Sequence, residues 1–331
     1  MSKWLAALIV SVSLPLFAAE TPSYGPQLQG FEYPYPAQNF AFESQGEQVQ
    51  MGYMDIKPSD ASNGRTVVLL HGKNFCGATW GGTIKPLSDA GYRVIAPDQI
   101  GFCRSSKPEH YRYTFEQLAQ NTNSLLTHLG IDHVIVLGHS MGGMLATRFA
   151  LMYPQQVDQL VLVNPIGLED WKAKGVPALT FEQWYARDLK TNADSIRKYQ
   201  QATYYANEWR PEFDHWVDMQ AGMYNGTGRE EVAHASAQTY EMIFNQPVFY
   251  AFENLKMPTL LMIGQKDNTA IAKDLAPEAL RKTLGNYPEL GKAVAKRIPH
   301  ATLVEFETLG HAPQIQDPEH FNKALIDGLL D

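Results

Sequence analysis

Ser140 stands in the run Gly138-His139-Ser140-Met141-Gly142-Gly143, directly after the apolar, β-branched stretch 134–137 and before a helix-compatible stretch. A serine between two glycines, at the junction of a strand and a helix, is the sequence form of a nucleophile elbow. The turn is so tight that a Cβ at either flanking position would meet neighbouring backbone. A Gly/Ser turn at such a junction is also ordinary loop chemistry, but the flanking strand and helix favour the elbow. A serine hydroxyl is a weak nucleophile at neutral pH and needs an adjacent base. That base needs a third group to hold its tautomer and stabilise its charged form. The chain has ten histidines and 35 acidic residues, so position must select the partners.

Other chemistries find little support. No His-x-x-x-His, no cysteine pair at zinc spacing and no glycine-rich phosphate loop occurs, and Gly138–Gly143 lacks the Lys-Ser/Thr of a P-loop. No cofactor or metal is implied. A net charge of −8 argues against nucleic acid or an anionic membrane as partner, and leaves a small-molecule substrate. A hydrophobic share of 44% in 331 residues suits a globular protein with a substantial core. Nothing in the pattern fixes an oligomeric state.

The first 19 residues read as a secretory signal peptide: Lys3, an apolar segment from Trp4 to Phe17, then Ala18 and Ala19. The segment is shorter than the roughly 20 residues a membrane span needs. Cleavage and export to a periplasmic or extracellular space are expected, without stable membrane insertion afterwards. The large residues Leu16 and Phe17 near the cleavage point leave an uncleaved anchor as the alternative. Residues 20–37, rich in Pro and Tyr, read as an extended arm.

The elements that must position Ser140 alternate. A hairpin is expected at 38–44 and 48–56, and strands at 65–72, 92–98, 133–138, 157–165, 257–264 and 301–307. Helical spacing occupies 114–130 and 141–154. Near-continuous apolar strands between helices mean a mostly parallel, doubly wound sheet covered on both faces. The alternation stops between 166 and 255, where aromatic, helix-compatible segments form an inserted cap. Ligands of open α/β sheets sit at the carboxyl ends of the strands, which such a cap would cover. The final helix opens with Asp317 as N-cap and Pro318 at the first position.

Together the segments "LLHGKNFCGATW" (69–80), "APDQIGFCRSSKP" (96–108), "GHSMGG" (138–143), "MIGQKDNTA" (262–270) and "LGHAPQIQDPE" (309–319) resemble a capped member of the α/β-hydrolase superfamily. The resemblance covers nearly all residues after 38, and the chain order of serine, acid, histidine is met. His311, in a Gly-flanked loop after the last strand, is the expected base. His139 should point away from the serine, and His300 lies at the opposite sheet edge. Asp267, three residues beyond a strand end, is the expected acid; Asp274 competes, and Glu169 and Asp170 are a second alternative. Asp98 also ends a strand but reads as a loop tie. The oxyanion of acyl transfer needs N–H donors. Met141 supplies one, and by resemblance Lys73 the other, with Asn74 and Phe75 as neighbours in the same loop. Only the lysine's amide is recruited, and His71 and Gly72 shape the loop.

In this superfamily the loops carrying Cys76 and Cys103 run side by side, so the resemblance also implies a possible disulfide. Of the cap aromatics, Trp184, Tyr185, Tyr204, Tyr205, Trp209 and Trp216 are candidate pocket residues, though at helical spacing such residues more often form the core of a cap. Asn225-Gly226-Thr227 matches a glycosylation sequon. The implied activity is a serine hydrolase acting on a small to medium ester, thioester or lactone through an acyl-enzyme. Carbon–carbon hydrolases, perhydrolases and aminopeptidases share the triad, and a non-catalytic binding protein on the same scaffold is the alternative of another class. Relatives that use aspartate at the elbow are disfavoured by Ser140.

Overall fold

The structure is a computed structural model that describes residues 21–330; the expected signal segment lies outside them. Eight strands form one sheet in the order β1-β2-β4-β3-β5-β6-β7-β8. The strands are β1 (Ala37–Ser44), β2 (Glu47–Ile56), β3 (Thr66–Leu70), β4 (Arg93–Pro97), β5 (Val134–His139), β6 (Val157–Val163), β7 (Thr259–Gly264) and β8 (Ala301–Phe306). β1 and β2 pair antiparallel, as β2 and β4 do, and all remaining pairs are parallel. Each expected strand is present, with ends shifted by up to two residues.

Alternation along the central strands divides the core in two. Val68, Leu70, Val136, Leu162, Leu261 and Ile263 belong to one cluster, which is covered by α2 (Phe115–His128), α3 (Met141–Met152) and α9 (Tyr287–Ala295). Val67, Leu69, Ile135, Val161, Val163, Leu260 and Met262 belong to the other, covered by α1 (Gly81–Asp89) and α11 (Pro318–Gly328). Residues on a strand alternate faces, so a strand buried on both sides must be apolar throughout. That is why these five or six positions read as unbroken hydrophobic runs.

Helix α1 has no counterpart in the sequence reading, because Gly81, Gly82 and Pro86 weaken the helical signal. Pro86 has no N–H to donate to the carbonyl four residues earlier. The side-chain amide of Asn322 in α11 donates to that Gly82 carbonyl at 2.8 Å instead. The missing bond is supplied from a neighbouring helix, which no local pattern reveals.

Between β6 and β7 lie α4 (Phe181–Asp188), α5 (Ala193–Tyr199), a π-helical turn at Gln200–Tyr204, α6 (Asp214–Asn225) and α7 (Arg229–Asn245). The short helices α8 (Glu278–Arg281) and α10 (Pro313–Gln316) follow later in the chain. The β6–β7 insertion contains helices and loops but no strand, and packs a third cluster around Tyr205, Phe213, Met219 and Ala233.

Residues 21–33 do not run extended. Leu28 has a positive φ of 55°, and its N–H donates to Gly25 at 2.9 Å, which curls the segment so that Leu28 and Phe31 are buried. The turn is held because it puts two large apolar side chains against the insertion. Tyr24 donates its N–H to Gly222 of α6 at 2.8 Å, and its ring lies where a Cβ on Gly222 would be 2.2 Å away. The Asn225 side chain donates to the carbonyls of Thr21 and Pro22, so the sequon asparagine is engaged in holding this segment. Tyr24→Ala should therefore cost about 2 kcal/mol, read as a lower Tm and faster limited proteolysis within α6. An unchanged melting curve would mean that the segment does not brace the insertion.

Candidate active site

β3 and β5 are neighbours, with Leu70 opposite Gly138, although the chain visits β4 between them. The loops leaving these two strands diverge in sequence but open at the same sheet edge, the switch point where such sheets bind ligands. Ser140 caps α3 with φ 57° and ψ −120°, a backbone state outside the ordinary regions for a residue with a side chain. Three contacts leave the turn no other composition. A Cβ on Gly138 would lie 2.0 Å from the Gly142 carbonyl oxygen. One on Gly142 would lie 2.2 Å from that of Leu70, and one on Gly143 2.4 Å from the Pro165 ring. The expected glycine requirement is thus a matter of backbone approaching backbone.

Strain at Ser140 lifts its hydroxyl toward the loop after β8. His311 Nε2 is 2.9 Å from Ser140 Oγ, and His311 Nδ1 is 2.7 Å from Asp267 Oδ2. All three are buried. Asp267 is held from both sides. Its Oδ1 accepts from the Thr269 N–H at 2.8 Å and from the Thr269 hydroxyl at 2.6 Å. Its Oδ2 accepts a second bond from the Asn164 side chain at 2.8 Å. Asn164, at the end of β6 with φ 38°, also accepts from the Gly264 N–H at 2.9 Å. It clamps the ends of β6 and β7 and turns the carboxylate toward the histidine.

The His311 loop is fixed by the insertion. His311 and Ala312 donate their N–H groups to the carbonyls of Thr203 and Tyr204 in the π-helical turn, at 3.3 and 3.2 Å. Gly310 fits beneath it because a Cβ there would lie 2.5 Å from the Tyr204 oxygen. His139 points away from the hydroxyl as expected, and its Nε2 lies 2.7 Å from the His311 carbonyl oxygen. Burial first, and the neighbouring His311 second, push its pKa well below the usual histidine range. A neutral imidazole facing a carbonyl must carry its proton on that nitrogen, so His139 donates to the backbone of His311.

The competing acids have other occupations. Asp274 is exposed and pairs with Arg187 at 2.8 Å. Glu169 accepts from the Gly285 N–H at 2.9 Å and pairs with Lys174 at 2.5 Å. Asp170 accepts from the Ala173 N–H and the Tyr250 hydroxyl. Asp98 accepts from the N–H groups of Gly77 and Arg104 and from the Tyr33 hydroxyl, tying its loop down. His71, neutral through burial, accepts from the Gln99 N–H at Nε2 and donates from Nδ1 to Gly72.

Met141, as the first residue of α3, has no carbonyl one turn back to bond. Among the described residues the N–H groups of Lys73 and Asn74 also find no acceptor, whereas that of Phe75 donates to Gly72 at 3.1 Å. An unpaired N–H at a helix N-terminus, as at Met141, suits developing negative charge.

The pairing implied for Cys76 and Cys103 is not made. Both are free, buried thiols. Both loops are tied to Asp98, which accepts from the N–H groups of Gly77 and Arg104. The Cys76 sulfur, however, is turned to Met219 Sδ at 3.3 Å and to the Tyr33 hydroxyl at 3.8 Å. It is engaged with the insertion through Met219. Burial raises the Cys103 thiol well above its usual range.

Of the aromatics, Tyr204 lies against His311 with ring centroids 5.0 Å apart, and Asn74 donates to its hydroxyl at 2.9 Å. Trp184 stacks on Tyr240, and both line a cavity of about 640 Å³ between α4 and residues 268–274. Tyr205 stacks on Phe213 inside the insertion, while Tyr185, Trp209 and Trp216 are half-buried around its periphery. Asn164, Thr269 and Tyr240 went unnoticed in the sequence. Only Thr269 carried a signal, since a hydroxyl two residues after an aspartate is a common local turn.

Among the described residues no group of three His, Cys, Asp or Glu side chains is placed to hold a metal, and no helix is long and apolar enough to cross a membrane.

The sequence profile of the alpha/beta hydrolase fold matches residues 65–318. The crystal structure of a probable hydrolytic enzyme from Pseudomonas aeruginosa PAO1 superposes with a TM-score of 0.93 and 63% identity. That match covers 94% of this chain and 99% of that one. An AB hydrolase superfamily protein of Bacillus subtilis is 38% identical over 112 residues, 34% of this chain and 39% of its own. The cis-3-alkyl-4-alkyloxetan-2-one decarboxylase of Xanthomonas campestris is 40% identical over 124 residues, 35% of this chain and 40% of its own. The chain thus spans about two fifths of the length of these two curated relatives.

Proposed function

Because the chain belongs to the alpha/beta hydrolase fold family, we propose that this hydrolase cleaves a small to medium carboxylic ester, thioester or lactone through an acyl-enzyme on Ser140. The observation that carries the reading is the unbroken hydrogen-bond chain from Ser140 Oγ through His311 to Asp267. His311 takes the serine proton as Oγ attacks the carbonyl carbon, then returns it to the leaving group. Asp267 holds Nδ1–H and stabilises the imidazolium. The oxyanion of the tetrahedral intermediate receives the amides of Met141 and Lys73, each such donor contributing about 10²–10³-fold in rate. Water, activated by the same histidine, releases the acid. The reaction needs no cofactor in this scheme.

The helical insertion between β6 and β7 serves as a cap over the carboxyl edge of the sheet, which excludes water from the intermediate. Export is part of the proposal, on the strength of the apolar segment 4–17 behind Lys3.

The test is a fluorophosphonate probe followed by peptide mass spectrometry. One adduct is expected, on the peptide carrying Gly138–Gly143, and its formation should stop a panel of ester and lactone hydrolyses in parallel. An adduct on another serine, or none with turnover intact, would remove Ser140 from the mechanism.

A further inference from the structure

The Lys73 side chain leaves the sheet edge and enters the helical insertion. Its Nζ donates to Ser236 Oγ of α7 at 2.6 Å and sits over the Tyr240 ring, 3.6 Å from the centroid. Asp188, at the end of α4, lines the same cavity wall as Tyr240. Asp188 is 8% exposed, and among the described residues its Oδ2 has no hydrogen-bond partner. Two small cavities, of about 40 and 120 Å³, meet this cluster. Lys73 and Ser236 line the first, Asp188 and Tyr240 the second, and Asn74 and Tyr224 line both. Asp188 and Tyr240 also face the larger cavity of about 640 Å³.

We propose that Lys73, Ser236 and Asp188 form a polar seat that recognises a neutral hydrogen-bonding group, a hydroxyl or an amide, on the acyl chain of the substrate. The inference rests on the hydrolase reading for its position. If the Lys73 amide holds the oxyanion, the end of its side chain lies one lysine length from the carbonyl under attack.

The donors and acceptors are not balanced inside the protein. An ammonium has three N–H groups; one goes to Ser236 and one face to Tyr240. Asp188 keeps a lone oxygen without a donor. Buried polar groups in a purely structural cluster are paired, whereas here Lys73 faces the first small cavity and Asp188 the second, and Asn74 and Tyr224, which line both, join the two. Surrounding protein lowers the Lys73 pKa to about 8 and raises that of Asp188. Both shifts follow from burial, so each group gains from a partner that restores lost hydration.

Three ligand chemistries compete for that place. An alkyl group would cover both open ends without pairing either, and a site built to bond a polar group rejects such an analogue strongly. A carboxylate would satisfy Lys73 but add an uncompensated negative charge beside Asp188 in a low-dielectric pocket. A hydroxyl or amide accepts from Lys73 and donates to Asp188, and it changes no net charge. Only the third satisfies both ends.

The experiment compares p-nitrophenyl hexanoate, its 3-hydroxy and 5-hydroxy derivatives, and the mono-p-nitrophenyl ester of adipic acid. In the native enzyme kcat/KM for at least one hydroxylated ester should exceed that for hexanoate by about tenfold or more. Lys73→Met, Ser236→Ala and Asp188→Asn should each bring that ratio close to one. Ser236→Ala and Asp188→Asn nearly conserve volume, and circular dichroism establishes that they fold. Calorimetric binding of the same esters to Ser140→Ala separates the seat from the chemistry. Tighter binding of a hydroxylated ester without turnover of any ester would keep the seat and overturn the ester reading. Turnover of all four esters with equal binding would keep the reading and overturn the seat. A preference for the adipate ester, or a hydroxyl preference that survives all three substitutions, would also overturn it.

Discussion

Ser140→Ala should abolish turnover to within the rate that binding and the oxyanion donors alone supply, a loss of about 10⁴-fold or more in kcat. The substitution removes one oxygen and leaves the backbone its constraints. The turn is enforced by the approach of Gly138 to Gly142 and of Gly142 to Leu70, so alanine inherits the same positive φ that serine occupies. No hydrogen bond other than that to His311 joins the Ser140 hydroxyl to its surroundings among the described residues. Folding stability should therefore change by less than about 1 kcal/mol. The double variant Ser140→Ala/His311→Ala should be no slower than either single one, since residues that act as a unit lose their effect together. A purified Ser140→Ala protein that keeps more than a few per cent of native kcat would transfer the nucleophile elsewhere. Multiplicative losses in the double variant would mean that serine and histidine act independently.

How far the sequence reached follows from where the information lies. The sheet was legible because central strands buried on both faces must be apolar at every position, and Val67–Leu70 or Leu260–Ile263 satisfy that without help from neighbours. The elbow was legible because its glycines are required by backbone contacts within and beside one turn. His311 and Asp267 were placed by counting from strand ends, which works because parallel strands in register deliver their following loops to one edge. Helix α1 was not legible. Its stability depends on Asn322, more than 200 residues away, supplying the donor that Pro86 lacks.

Other features also arise only from distant chain. Asn164 reads as an ordinary residue before proline, and its role emerges only when β6 and β7 lie side by side. The sequence assigns a role only to the Lys73 amide, yet its Nζ is held by residues of α7 that no local pattern connects to β3. The cysteine loops do come together, but the direction of one sulfur is set by Met219 in the insertion. Position along the chain predicts which backbone groups meet. Which way a side chain turns is decided by partners from other elements.

Asp267→Asn should lower kcat by roughly 10³–10⁴-fold, and the surrounding donors explain why the effect is so large for an exchange of one oxygen for an NH₂ group. Asp267 Oδ1 accepts two bonds from Thr269, one from backbone and one from hydroxyl. An amide NH₂ cannot take that place without opposing a backbone N–H, so the asparagine oxygen must stay there. The NH₂ group then faces His311 Nδ1 and the side-chain NH₂ of Asn164, both of which donated to Oδ2 in the native protein. His311 must become the acceptor at Nδ1, which puts its proton on Nε2 and points a donor at Ser140. The imidazole can no longer receive the serine proton, and the charge that stabilised the imidazolium is gone. Asp274→Asn should change kcat less than about twofold, because that carboxylate is exposed and, among the described residues, pairs with Arg187 alone. Steady-state kinetics of the two variants on one ester, with NMR of the His311 imidazole nitrogens in Asp267→Asn, checks both the rate and the tautomer. Equal rates for the two variants would remove Asp267 from the proposed triad, and a proton still on Nδ1 would refute the tautomer argument.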